Sequence, residues 1–193
     1  MNSRTKNRVK LVFIATLFAL PVMSAWLVFN NPQWLEGGET KNKGELIVPA
    51  IPSNIDDYVG SSVAIDLADL KGRWVLAHLD FDGICSLECE KSVHMMQQLH
   101  TLFNKDSSRL RRVYFNKSTA VAGDFLSTAP KLKVLPWGDA QISKLTEIVK
   151  GLKDGDMLLM DPLGNIMMKY HQDADPYGIQ KDLKLLFKTS QIG

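Results

Sequence analysis

Residues 74–89 read Trp-Val-Leu-Ala-His-Leu-Asp-Phe-Asp-Gly-Ile-Cys-Ser-Leu-Glu-Cys. The first eight are a nearly continuous apolar run, the pattern of a central strand buried on both faces. Asp82-Gly83 breaks the run. Cys85 and Cys89, the only two cysteines of the chain, follow at what reads as a strand-to-helix junction. From Glu88 to Phe103 the apolar positions Val93, Met96, Leu99 and Leu102 or Phe103 recur at helical spacing. A cysteine at a helix N-terminus meets the positive end of the macrodipole and unpaired backbone N–H groups, and both favour the thiolate. Two thiols so placed can close a disulfide or grip one soft metal ion together.

Beyond this corner the element types alternate. Leu110 to Phe115 is a short strand candidate ending at Asn116, and Leu132 to Leu135 is another; Gly123 to Lys133 as a whole is ambiguous. Ile142, Leu145, Ile148, Val149 and Leu152 mark a second amphipathic helix. Met157 to Met160 and Ile166 to Tyr170 flank Asp161-Pro162-Leu163-Gly164-Asn165, where Pro and Gly between apolar runs predict a hairpin. Asp175-Pro176 starts a last helix, with Asp as N-cap and Pro at its first position; its buried stripe would be Ile179, Leu183 and Leu186. Before the corner, Leu46 to Ile55 holds two prolines and reads as extended or an edge strand. Parallel βαβ units followed by an antiparallel hairpin make an α/β, thioredoxin-like three-layer sandwich over residues 46–193. In such folds the redox motif sits where Cys85 and Cys89 sit.

The N-terminus has another character. Residues 11–29, Leu-Val-Phe-Ile-Ala-Thr-Leu-Phe-Ala-Leu-Pro-Val-Met-Ser-Ala-Trp-Leu-Val-Phe, carry no charge and are about long enough to cross a bilayer as a helix. The run is too long, and Met23-Ser24-Ala25 too poor a cleavage site, for a signal peptide. It is expected to be an uncleaved transmembrane anchor. Arg4, Lys6, Arg8 and Lys10 place the stub 1–10 on the cytoplasmic side of a bacterial inner membrane and the folded domain in the periplasm. Residues 30–45 read as a linker.

That stub also explains the net charge of +2. Without its four bases the chain keeps 19 basic against 21 acidic residues. No basic patch is interleaved with aromatics, so nucleic acid is not an expected partner. Phosphate-binding loops, zincin pairs and nucleophile-elbow serines are absent from the sequence.

Three further groups bear on the site. His78 falls inside the central strand and is expected in the core or on the sheet face; His94 and His100 fall on the exposed side or flank of the following helix. His171, after the hairpin, is the histidine that could serve as a third metal ligand. Met95, Met96, Met157, Met160, Met167 and Met168 are expected to fill core gaps. Asp80, Asp82 and Glu88 flank the motif and read as solvated loop charges.

The stretch Gly72–Cys85, the C-x3-C spacing and Leu158–Tyr170 with its Asp-Pro-x-Gly turn resemble the Sco/SenC family. Those are membrane-anchored, thioredoxin-fold proteins that assist copper delivery to cytochrome c oxidase. The resemblance covers roughly residues 45–190 and the anchor. It implies Cys85 and Cys89 as the catalytic thiols and as copper ligands. It also implies an oxidase subunit, or another redox or copper chaperone, as protein partner. Two positions depart from the family: Glu90 stands where it has proline, and Leu152–Asp156 lacks its copper-binding histidine. Two thiolates can hold Cu(I) but cannot make a Cys2His site. The expected function is therefore oxidase assembly by thiol–disulfide exchange, as a thiol–disulfide oxidoreductase, or by transient Cu(I) handling. The alternative is a non-catalytic membrane scaffold factor in which the cysteines form only a structural disulfide.

Overall fold

The strand predicted at Trp74–Phe81 forms as β2, Trp74–Asp80, and every residue in it is buried. The computed structural model describes residues 3–31, 42–60, 65–117, 129–190 and 192. The linker expected over 30–45 falls largely outside those residues, as does 123–128. The chain divides into two compact units, residues 1–41 and 42–193.

The first unit holds one helix, α1, Ser3–Asn30. Its most apolar stretch has a mean hydropathy of 2.3 and none of that stretch is buried. At ~1.5 Å per residue the 28 residues exceed the ~30 Å of a bilayer's hydrocarbon core. Pro21 is accommodated within it.

The second unit is a three-layer α/β sandwich. Its further elements are β1 (Glu45–Ile51), α2 (Leu87–Leu102), β3 (Leu110–Asn116), β4 (Leu132–Pro136), α3 (Asp139–Ile148), β5 (Met157–Met160), β6 (Ile166–Tyr170) and α4 (Pro176–Thr189). The strands lie in the order β1-β6-β5-β2-β3-β4. β2, β3 and β4 are parallel, whereas β5, β6 and β1 are added antiparallel. The strand period of two divides the core. Val75, Ala77 and Leu79 of β2 pack with Leu145 of α3 and with Val149 at its C-terminal end. Trp74 and Leu76 face Met96 and Leu99 of α2 and Ile179 and Leu183 of α4. The methionines fill this core as expected: Met96, Met157 and Met168 are almost inaccessible.

The local signals hold with small shifts. Asp175 caps α4 by accepting from the N–H groups of Tyr177 and Gly178, with Pro176 in its first turn. Phe187 rather than Leu186 completes the buried stripe of α4, and Phe103 rather than Leu102 that of α2. The β5–β6 turn needs its glycine. Gly164 has φ +95°, and a Cβ there would lie 2.6 Å from the carbonyl oxygen of Ser53. Where the chain enters the domain, the buried Asp182 accepts from the backbone N–H of Lys43 and of Gly44, each at 2.9 Å.

Candidate redox site

Carboxylates build the turn between β2 and α2. Asp80 Oδ1 accepts from the N–H of Asp82 at 3.1 Å and of Gly83 at 2.5 Å. Asp82 Oδ1 accepts from Ile84 N–H at 2.7 Å, and Asp154, from the loop before β5, accepts from Phe81 N–H at 2.6 Å. Ser86 then caps α2, its Oγ accepting from Cys89 N–H at 3.3 Å. The cap leaves Cys85 just outside the helix and Cys89 in its first turn. Their Cα atoms are 5.2 Å apart and the sulfurs are joined in a disulfide.

The two sulfurs meet different surroundings. Cys85 is half-buried, with Ile84 and Leu87 exposed beside it. Cys89 is 5% exposed and packs with Val93, Tyr114 and Ala129. Its Sγ lies 3.7 Å from the Tyr114 hydroxyl, which donates to Asp80 Oδ2 at 2.6 Å. Burial, then the bond to Asp80, pushes the Tyr114 hydroxyl far above its ordinary pKa. It is therefore a neutral phenol at physiological pH. Asp80 is not the solvated loop charge expected of it. β2 stays in the sheet through this residue, paired with Asn116 of β3, and its side chain is buried. Asp82 and Glu88 are exposed, as expected.

His78 stacks on the Tyr114 ring, centroids 5.5 Å apart and planes 11° from parallel. It is fully buried, and neither ring nitrogen has a hydrogen-bond partner among the described residues. Burial lowers its pKa to about 4, so the ring is neutral. His94 is exposed and His100 half-buried on α2.

His171 reaches a groove of about 570 Å³ beside α2, lined also by Glu88, Ser92, Lys153, Asp154 and Asp156. Neither cysteine is among its lining residues. Asp156, itself buried, is 3.0 Å from His171 Nδ1. Burial, with the charges of Asp82, Asp80 and Asp156 nearby, raises the Asp154 carboxyl above its ordinary pKa.

The donor set decides what copper, as cargo, would meet here. Reduced Cys85 and Cys89 supply two soft sulfurs. The loop at the family's histidine position offers the hard oxygens of Asp154 and Asp156, and Asp156 engages His171 through Nδ1. Reduced, the two sulfurs fit a two-coordinate Cu(I) site, while His171, held through Nδ1 by Asp156, lines a groove that neither cysteine lines.

Nothing in the sequence marks Tyr114 or Asp156. Each acts through a partner far along the chain, Asp80 for the one and His171 for the other. No local pattern singles out an aromatic within an apolar strand.

Residues 74–190 match the family model for the transmembrane-like, thioredoxin-like, C-terminal domain. The chain belongs to that family. No curated protein matches it in sequence. Among solved structures, this thioredoxin-like chain is similar to apo Sco1 of Thermus thermophilus, with 13% identity and a TM-score of 0.59. That match covers 78% of this chain and 99% of the other. Copper-bound ScoI of Arabidopsis thaliana is similar at 14% identity and a TM-score of 0.51, over 65% of this chain and 91% of that one. At such identities the likeness is one of fold: the thioredoxin-like architecture is shared with Sco proteins.

Proposed function

We propose that the chain is a membrane-anchored periplasmic thiol–disulfide exchange protein that assists cytochrome c oxidase assembly in the manner of its Sco fold relatives. The observation that carries this reading is the unequal pair at the α2 N-terminus: half-exposed Cys85 bonded to Cys89 seated on Tyr114. A disulfide closing so short a loop contributes little chain entropy, so a purely structural staple is poorly served by it. An accessible sulfur at a helix N-terminus is suited to attack.

The chemistry follows from that asymmetry. In the reduced protein the Cys85 thiolate attacks one sulfur of a target disulfide, forming a mixed disulfide and releasing the other target sulfur as a thiolate. Cys89, after losing its proton to solvent or base, attacks Cys85 Sγ and expels the second target sulfur. Two electrons pass from the pair to the target, and the Cys85–Cys89 bond is restored. A dithiol donor must then reduce the pair for another cycle. Two-sulfur binding of Cu(I) by the reduced pair is the second use open to the same thiols.

Complementation tests the reading. In a strain lacking the chain, oxidase activity is expected to return with the wild type and not with Cys85→Ser. Full restoration by Cys85→Ser would leave the cysteines as a staple in a scaffold factor. A reduction potential below about −300 mV, the range of inert structural disulfides, would do the same.

A further inference from the structure

Resting on the exchange reading, we propose that the corner receives a cysteine-bearing segment of a partner protein that is both basic and apolar around its cysteine. Two observations carry this. Ile84 and Leu87 flank Cys85 and are 72% and 70% exposed, and neither joins a core cluster. Single exposed aliphatic residues are ordinary, but these two bracket the one accessible sulfur.

The second observation is charge. From Trp74 to Glu90 the chain carries Asp80, Asp82, Glu88 and Glu90 and no lysine or arginine. Asp154 joins them from the loop before β5, its carboxylate within 4.8 Å of those of Asp80 and Asp82. None of these five carboxylates forms an ion pair among the described residues. Among the residues lining the groove, Lys91 and Lys153 stand beside Glu88 and Asp154 and offset part of this charge. A net excess of carboxylates around a partly accessible sulfur concentrates cationic partners and repels anionic ones. It also repels anionic lipid headgroups, so the apolar pair suits a protein segment rather than the membrane surface.

The test uses the reduced full chain in nonionic detergent and three small disulfides. Cystamine is a dication, hydroxyethyl disulfide is neutral and dithiodiglycolate is a dianion. Each rate is divided by that of 2-mercaptoethanol with the same disulfide, which removes intrinsic reactivity. At low salt the normalised rates should fall in the order cystamine, hydroxyethyl disulfide, dithiodiglycolate, spanning roughly fivefold or more. The spread should shrink towards parity at ~0.5 M salt, where the Debye length is only about 4 Å. Asp82→Asn with Glu88→Gln and Glu90→Gln should narrow the low-salt spread. Ile84→Asn with Leu87→Asn should slow exchange with a Leu-Cys-Leu peptide disulfide relative to cystamine. A flat or reversed charge order overturns the basic partner, and an unchanged peptide-to-cystamine ratio overturns the apolar one. No reaction of Cys85 with hydroxyethyl disulfide overturns the exchange reading itself, and this inference with it.

Discussion

His78 is costly to this fold at the scale of one residue. Its ring is fully buried and both nitrogens lack partners among the described residues. Burial moves its pKa from 6.5 to about 4. The unfolded chain therefore takes up a proton that the folded chain refuses in this window. Stability is complete above pH 6.5 and falls as pH drops towards 4, by up to ~1.4 kcal/mol per pH unit for this group. His78→Leu is expected to remove that slope and to be no less stable at neutral pH, because two orphaned polar atoms leave the core. Urea unfolding of both proteins between pH 4.5 and 7 measures the difference; parallel curves would refute it. Tyr114 presents the opposite case. Its hydroxyl serves Asp80 at 2.6 Å, so Tyr114→Phe leaves a buried carboxylate short of a donor. A loss of roughly 1–3 kcal/mol is expected in the oxidised protein. An unchanged urea midpoint would show that the bond contributes nothing.

At the scale of elements, the start of α2 is where local signal and chemistry coincide. Ser86 caps the helix from within the ring closed by the disulfide, its Oγ bonded to Cys89 N–H. Ser86→Ala should cost about 1 kcal/mol in the reduced protein. It should cost less in the oxidised protein, where the covalent link already fixes that turn. Chemical unfolding in both redox states checks this, and equal losses would separate the cap from the disulfide. The same junction explains how much was legible beforehand. β2, α2, the β5–β6 hairpin and the Asp175–Pro176 start of α4 announce themselves because an apolar period, a turn or a cap is written in neighbouring residues. The pair Cys85 and Cys89 is legible for the same reason. Asp80 differs from its expected loop setting because its neighbours Asp82 and Gly83 carry the turn signal while Asp80 itself does not. Only pairing with Asn116 keeps Asp80 in the sheet and buries it. Tyr114 against Cys89 and Asp156 against His171 join residues on separate elements, so no window along the chain contains them.

At the scale of the whole molecule, the proposed anchoring through the apolar helix would set which redox environment the disulfide meets. α1 is long and apolar enough to span a bilayer, and the four bases before its apolar run bias the N-terminus towards the cytoplasm. With that orientation the domain of residues 42–193 faces an oxidising compartment, where a Cys85–Cys89 disulfide is the resting form and reduction must be supplied. The opposite orientation would keep the thiols reduced and idle as acceptors of electrons. Reporter fusions after Gly193 distinguish the two. Alkaline phosphatase, which folds only when exported, is expected to be active there, and green fluorescent protein exported in the same position is expected to be dark. Replacing Arg4, Lys6, Arg8 and Lys10 by glutamate should weaken the phosphatase signal and raise the fluorescent one, because the bias rests on those charges rather than on the apolar run. Bright fluorescence from the unaltered chain would put the domain in the cytoplasm. The cysteine pair would then have to be read as a thiol couple held open by cytosolic reductants, not as a disulfide waiting for them.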